Sequence, residues 1–118
     1  MMFQFPFINW EDLMADLQKI LLIGSAPHLL RSALGESGFT AKAGFEIIEA
    51  GDINTAGAEL RTNKSIVAVA STDVALHRDI YWLVRDAARP DVAIVLVNVE
   101  GVRRAPEILK RYLRLDTT

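Results

Sequence analysis

Cysteine is absent from this chain of 118 residues. Disulfide bonds and thiolate metal sites both need cysteine, so the sequence excludes them. A chain that does without disulfides suits a reducing compartment, and we expect a cytoplasmic protein.

The chain also lacks a long hydrophobic run. Its apolar start, MMFQFPFINW at residues 1–10, is interrupted by Pro6 and followed at once by Glu11 and Asp12. It lacks the basic start of a signal peptide, and a membrane span takes about 20 apolar residues. We therefore predict neither a signal peptide nor a membrane span.

The chain also lacks an excess of positive charge. Lysine and arginine number 13 against 15 aspartate and glutamate residues, and the formal net charge is −2. Such a chain has no general attraction for polyanions, and we predict no nucleic-acid partner. The basic residues near the end are typical of a solvated helix face. They are Arg103, Arg104, Lys110, Arg111 and Arg114.

What the chain has in abundance is hydrophobic residues, which make up 51% of it, while charged residues make up 24%. This composition is typical of a globular protein. The length is enough for one domain with its own core, so we predict a single domain over residues 1–118.

Four short hydrophobic runs rich in β-branched residues recur along the chain. Each run is continuous, whereas a strand with one solvent face alternates hydrophobic and polar residues. Continuous runs are expected for strands of a parallel sheet that helices cover on both faces. The runs lie at Ile20–Ile23, Phe45–Ile48, Ile66–Ala70 and Val92–Val97.

Helix signals occupy the segments between these runs. Ser25, Asp52 and Asp73 are placed to cap the helices that follow the first three strands. Pro27 and Pro106 fall in or near the first turns of the first and last of these helices, where a missing N–H costs nothing. The sequence therefore predicts a helix after every strand.

Residues 1–18 are predicted to form an aromatic segment and an extra helix, from about Asn9 to Gln18, ahead of the first strand. The alternation that follows argues for βαβ units in a parallel sheet. Right-handed crossovers leave few topologies, and we predict the strand order 2-1-3-4. The predicted fold is a three-layer, doubly wound, flavodoxin-like α/β sheet of about four strands.

Functional residues of such a sheet gather where the carboxyl ends of strands meet the starts of helices. Hydroxyl groups and helix amides there suit a small phosphate or nucleotide ligand, although neither GxGxxG nor GxxxxGK[ST] is present. The two histidines, His28 and His77, do not complete a metal set, so we predict no metal and no cofactor. The residues predicted at this edge are Gly24, Ser25, His28, Ser71, Thr72, Asp73 and Asn98.

The stretch Ile20–Phe39, ILLIGSAPHLLRSALGESGF, resembles the opening of response-regulator receiver domains. In that family a strand ends in an acidic pair, followed by one residue, a proline and a helix that ends in Gly-Phe or Gly-Tyr. The resemblance extends to the strand spacing through four of the five βα units of a receiver. It implies a doubly wound fold and a role in signalling.

The departures from the receiver pattern fall on its phosphorylation chemistry. The acidic pair falls on Gly24 and Ser25, and the phosphate-accepting aspartate falls on Ala70 or Ser71. The small hydroxyl residue of the fourth strand falls on Val97, and the fifth strand with its lysine is missing. Without clustered carboxylates to hold a divalent cation and without the nucleophile, no aspartyl phosphate can form. We therefore predict no catalytic residues and no enzyme activity.

A receiver without its chemistry has to act through its surfaces. Aromatic side chains are enriched at interface hot spots, and two stretches are rich in them. The N-terminal stretch, Phe3–Trp10, either packs over the open edge of the fourth strand or pairs with another copy or a partner. The second stretch, Tyr81 and Trp82, either packs in the core or points outward from the third helix. The predicted interface residues are Phe3, Phe5, Phe7, Trp10, Tyr81 and Trp82.

The sequence thus favours a pseudo-receiver, a phosphorylation-independent interaction or dimerisation module of bacterial signalling or assembly, with a homodimer as the expected state. Degenerate receivers of this kind also occur as N-terminal localisation domains of ATPases that place pilus-assembly machines. One alternative is a domain that binds a small nucleotide or phosphate ligand. Another is a small Rossmann-like stalk protein of rotary ATPases, a family with a comparable four-stranded layout whose chain begins directly with its first strand.

Overall fold

The computed structural model describes residues 17–115, in which each strand is followed by an α-helix. The elements are β1 (Gln18–Ile23), α1 (Pro27–Glu36), β2 (Phe45–Ala50), α2 (Ile53–Thr62), β3 (Ile66–Ser71), α3 (His77–Asp86), β4 (Ala93–Leu96) and α4 (Ala105–Leu113). Short 3-10 turns precede β2, α3 and α4, at Ala41–Ala43, Val74–Leu76 and Val99–Arg104.

The strands form one parallel sheet in the order β2-β1-β3-β4. This confirms the predicted fold class and strand order. Because the connection after β2 runs back across β1, right-handed crossovers place α1 and α4 on one face and α2 and α3 on the other. The described part of the chain is therefore a three-layer flavodoxin-like sandwich with β2 and β4 at the sheet edges.

The side chains of successive residues in β1 alternate between the two faces of the sheet. Ile20 and Leu22 pack in the cluster that includes side chains of α1 and α4. Leu21 and Ile23 pack in the cluster formed with α2 and α3. All four side chains are at most 2% exposed. Coverage on both faces explains why the hydrophobic runs are continuous.

The prediction that Asp52 caps a helix is confirmed, and the prediction for Ser25 is wrong. The Asp52 carboxylate accepts a hydrogen bond from the backbone N–H of Thr55 at 2.7 Å, at the start of α2. At α1 the N-cap is Ala26, whose φ of 53° is left-handed, and Pro27 is the first helical residue. The turn at Ala26 leaves the Ser25 side chain outside the helix start.

The prediction that Asp73 caps the third helix is also wrong. A 3-10 turn, Val74–Leu76, lies between Asp73 and the start of α3 at His77. The Asp73 side chain bonds no amide of this turn, and the residue before α3 is Leu76. Asp73 is therefore left to interact across the edge of the sheet.

The extra helix ahead of the sheet is predicted to end at about Gln18. This predicted end is wrong, because Gln18 is the first residue of β1. Leu17, immediately before it, is buried. The rest of that helix lies outside the described residues, as does the aromatic segment that precedes it. The predicted interface residues in that part are Phe3, Phe5, Phe7 and Trp10.

Within residues 17–115, no helix is long and apolar enough to cross a bilayer. The longest α-helices there, including α1 and α3, have ten residues, whereas a span needs about 20.

Candidate functional site

Two loops at the carboxyl edge of the sheet meet through Ser25 and Asp73. The Ser25 hydroxyl donates a hydrogen bond to Asp73 Oδ2 at 3.3 Å. The loops come together because they follow β1 and β3, which are neighbours in the sheet. Gly24 permits the close approach, since its φ is 106° and a Cβ there would lie 2.9 Å from the Cβ of Asp73. The structure thus joins three of the residues that the sequence predicts at this edge.

Ser71 and Thr72 are buried next to this contact, at 1% and 8% exposure. The Ser71 hydroxyl oxygen accepts a hydrogen bond from the backbone N–H of Asp73 at 3.0 Å. Its backbone carbonyl accepts a second bond from the N–H of Val97 at 3.1 Å. Ser71 therefore shapes the turn that holds Asp73 and ties the end of β3 to the end of β4.

The remaining predicted residues of this edge have separate roles. Asn98 follows β4, and its Oδ1 accepts the N–H of Gly101 at 2.8 Å, which caps the 3-10 turn there. His28 is exposed in the first turn of α1. His77 is the first residue of α3, and its Nε2 is buried with no hydrogen-bond partner among the described residues.

The end of β2 and the loop after it bring two more carboxylates to this edge, and both have partners. Glu49 accepts a hydrogen bond from Arg31 of α1, with 2.8 Å between Nε and Oε2. The backbone N–H of Thr55 hydrogen-bonds to Asp52 and lowers the pKa of that carboxyl below its ordinary value. Asp52 thus caps α2, and Glu49 links β2 to α1.

The chemistry available at this edge is limited by how its groups are arranged. Across residues 17–115, no three histidine, aspartate or glutamate side chains lie together in a way that could hold a metal ion. The Ser25 hydroxyl donates its hydrogen bond to the Asp73 carboxylate, and this pair joins the loops that follow β1 and β3.

Three exposed side chains form an aromatic patch on α3: Tyr81, Trp82 and Arg85. Tyr81 and Trp82 are 47% and 46% exposed, and their rings meet edge to face with centroids 5.6 Å apart. The Arg85 guanidinium carbon lies 5.5 Å from the Trp82 ring centroid, within the range of a cation–π contact. The patch is therefore an organised cluster at the surface.

The alternative prediction that Tyr81 and Trp82 pack in the core is wrong. The core face of α3 is taken by Ile80, Leu83 and Val84, which are 0%, 9% and 4% exposed. Helical periodicity places residues 81 and 82 away from that face.

Sequence reasoning missed two residues of the exposed surface, Arg85 and Tyr112. Arg85 lies three residues after Trp82 and four after Tyr81, the spacings at which helix side chains meet, so its place in the patch could have been found. Tyr112 of α4 is 63% exposed. Together with Tyr81 it lines a groove along β4. The two residues are 31 positions apart, and they meet only because α3 and α4 pack on opposite faces of the sheet beside β4.

Comparisons with protein-family models, with curated proteins and with solved structures found no match to this chain. The receiver resemblance therefore stays a prediction, as do the ligand-binding and rotary-ATPase alternatives.

Proposed function

We propose that this chain is a phosphorylation-independent pseudo-receiver that acts as a protein–protein interaction or dimerisation module in bacterial signalling or assembly. The observation that carries the proposal is the aromatic patch. Tryptophan, tyrosine and arginine are the residue types most enriched at interface hot spots, and here they are neighbours at the surface of one helix.

The packing of α3 supports this reading of the patch. Because Ile80, Leu83 and Val84 supply the core contacts of this helix, Trp82 adds little to the core. A large side chain left half exposed beside an arginine offers apolar area and a charge to a partner at little ordering cost, because the contact with Arg85 already restrains both groups.

The groups at the carboxyl edge support the second half of the proposal, independence from phosphorylation. Ser71, at or next to the place of the phosphate acceptor in a receiver, uses its hydroxyl to hold the Asp73 amide. Asp73 is engaged by Ser25 from the neighbouring loop. A receiver site needs several free carboxylates around its metal, and the polar groups of this edge bond to one another instead.

Phosphorylation is tested by NMR of the full chain with Mg²⁺ and either acetyl phosphate or beryllofluoride. We expect no change in the amide signals of Ser71, Thr72 and Asp73, because no nucleophilic carboxylate lies at the end of β3. A receiver that accepts phosphate is the positive control in the same buffer. A saturable shift confined to these three residues would contradict the proposal.

The interaction role is tested by light scattering over a range of protein concentrations. We expect the wild-type mass to rise towards that of two chains and Trp82→Ser to hold it near one chain at the same concentrations. Val99→Ser is the matched control, since Val99 is 61% exposed but lies after β4, outside the patch. A wild type that keeps the mass of one chain throughout would contradict dimerisation, and equal losses in both variants would contradict the role of the patch.

A further inference from the structure

Strand β4 presents unpaired backbone groups along one edge. Its register pairs Val69 with Ile94 and Ser71 with Leu96 in parallel. The N–H of Val97 bonds to the carbonyl of Ser71, so Val97 points towards β3, and so does every second residue before it. The N–H and C=O groups of Ile94 and Leu96 therefore point away from the sheet, and no described residue pairs with them.

This edge is bordered by an apolar groove, which we call the β4 groove. One part, of about 550 Å³, runs between Tyr81 and Tyr112 and over Ile94. A second part, of about 500 Å³, lies on the α3 side, where Tyr81, Val84, Val92 and Ile94 line it. An open strand edge next to an apolar groove is the arrangement to which an added strand binds.

We propose that Phe3–Ile8 of the same chain adds to β4 as an antiparallel fifth strand and covers the β4 groove. This segment, FQFPFI, lies among the sixteen residues that precede Leu17, outside the described part of the chain. Its phenylalanines alternate with other residues at the period of a strand, which gives it one aromatic face.

The reach of the chain favours the antiparallel direction. Leu17 precedes β1 at the amino edge of the sheet, and three strand spacings of about 4.8 Å separate β1 from a strand beyond β4, about 14 Å in all. The eight residues 9–16 span about 12 Å as a helix and about 26 Å when extended. An antiparallel segment ends at the amino edge, within this reach. A parallel one ends at the carboxyl edge and adds the height of a six-residue strand, about 20 Å, so the distance rises to about 24 Å and residues 9–16 would have to be almost fully extended.

Pro6 decides which residues face β4. Proline has no N–H, so Pro6 must point away from the partner strand, and Gln4 and Ile8 point the same way. Phe3, Phe5 and Phe7 then bond to β4 through their backbones.

Antiparallel pairing also decides the face on which the aromatic side chains lie. Residues that exchange hydrogen bonds in an antiparallel pair have their side chains on the same face of the sheet. Ile94 and Leu96, which offer the free backbone groups, pack on the face covered by α2 and α3. The three phenylalanine rings therefore enter the α3 side of the β4 groove, which Val84, Val92 and Ile94 line.

The docking does not depend on the proposed function, because it takes place within one chain and needs no partner. Hydrogen exchange of the full chain, followed by NMR, tests it. We expect the amides of Ile94 and Leu96 to exchange about tenfold or more slowly than unprotected amides. Val95 points towards β3 and serves as the internal standard of an intact sheet. Exchange of Ile94 and Leu96 at unprotected rates in the wild type would overturn the proposal.

A pair of variants tests the face of the segment. Phe5→Ser removes a ring from the β4 groove, and we expect it to return Ile94 and Leu96 to fast exchange while Val95 stays protected. Gln4→Ser alters the opposite face and is expected to keep the protection. Equal effects of the two substitutions would overturn the assignment of Phe5 to the groove.

Mixed samples distinguish the chain's own segment from that of a second copy. In an equal mixture of labelled and unlabelled chains, we expect contacts between the Phe5 ring and Ile94 within one chain and none between chains. Contacts between chains would overturn the proposal in favour of a strand exchanged between copies. Protected Ile94 and Leu96 amides in a protein that keeps the mass of one chain would retain this docking while contradicting dimerisation, so the two proposals fail separately.

Discussion

Arg89 is buried, with 6% of its surface exposed, although it carries a full charge. Its guanidinium donates hydrogen bonds to the carbonyls of Leu60 and Ile66 at 2.9 and 2.7 Å. It also pairs with Asp91 at 3.3 Å, and this hydrogen bond lowers the pKa of Asp91. A single side chain thus joins the end of α2 and the start of β3 to the loop before β4.

Replacing Arg89 with methionine keeps much of the volume but removes every donor. The carbonyls of Leu60 and Ile66 then stay buried without partners, and we expect Arg89→Met to lower the free energy of unfolding by about 2–4 kcal/mol. Urea denaturation measures the effect. Arg78→Met on the exposed side of α3 is the control, with an expected change within about 0.5 kcal/mol. Similar results for both would mean that solvent already satisfies these carbonyls.

Substitution by alanine should change the stability of the protein in opposite directions at Gly24 and at Gly35. Gly24 has a φ of 106° and a Cβ position 2.9 Å from Asp73, so we expect Gly24→Ala to destabilise the protein by about 1–3 kcal/mol. Gly35 lies in α1 with nothing within 4 Å of its Cβ position, and Gly35→Ala is expected to stabilise by up to about 1 kcal/mol. Thermal unfolding measures both. A Gly24→Ala variant as stable as the wild type would show that the close approach at Gly24 is not required.

Asp52 makes the stability of α2 depend on pH. The Thr55 backbone N–H lowers its pKa in the folded state below the ordinary value of 3.8. The stabilisation is therefore complete above pH 3.8 and is lost as the pH falls through the lowered value. We expect Asp52→Ala to melt at a lower temperature than the wild type at neutral pH. The difference should narrow in acid, and a constant difference down to about pH 2 would contradict the role of the charge.

At the scale of elements, α3 has one face packed against the sheet and one face exposed to solvent. Ile80 is fully buried against the sheet, whereas Trp82 is 46% exposed two residues later. The first face is part of the fold, and the second is part of the aromatic patch.

Alanine substitutions on the two faces of α3 should therefore differ. We expect Ile80→Ala to cost about 2–5 kcal/mol, because it leaves a cavity in the core. Trp82→Ala should cost about 1 kcal/mol or less, mostly from its contacts with Tyr81 and Arg85. Chemical denaturation of the monomeric protein compares them. A cost for Trp82 as large as that for Ile80 would place Trp82 in the fold rather than at an interface.

Strand β4 lies at an edge of the sheet, where one side of the strand has no neighbouring strand among the described residues. It has four residues and pairs with β3 on one side. Short edge strands resist unwanted pairing, yet the β4 groove widens this edge into an apolar surface. The proposed fifth strand covers this surface, whereas the proposed dimer is argued from the aromatic patch of α3, and Tyr81 belongs to both.

At the scale of the whole molecule, the two clusters of the core share one sheet. Every strand contributes to both, so loss of packing on either face removes support from the other. A single cooperative unfolding transition is expected for a domain of this size.

Leu30→Ala tests this cooperativity from one face. Leu30 packs on the α1 side of the sheet, and its loss should cost about 2–5 kcal/mol. We expect the NMR methyl signals of Val84, on the opposite face, and of Leu109, on the same face, to disappear at the same urea concentration in this variant. Separate midpoints would show that the two faces unfold independently.

The sequence by itself determined the elements and their order. Continuous hydrophobic runs, a proline in the first turn of α1 and a capping aspartate at Asp52 are local signals, and the right-handed crossover limits the topologies that join them. The same reasoning placed Gly24, Ser25, Ser71 and Asp73 at one edge, because parallel strands end together.

The tertiary structure alone decided what those side chains contact. Ser25 and Asp73 are 48 positions apart, and their hydrogen bond depends on the close approach of two loops, which no local pattern encodes. The burial of Arg89 likewise depends on carbonyls from α2 and β3, more than 20 positions away. Caps and strands arise from neighbours along the chain, whereas pairings between distant loops arise only when the sheet brings them together.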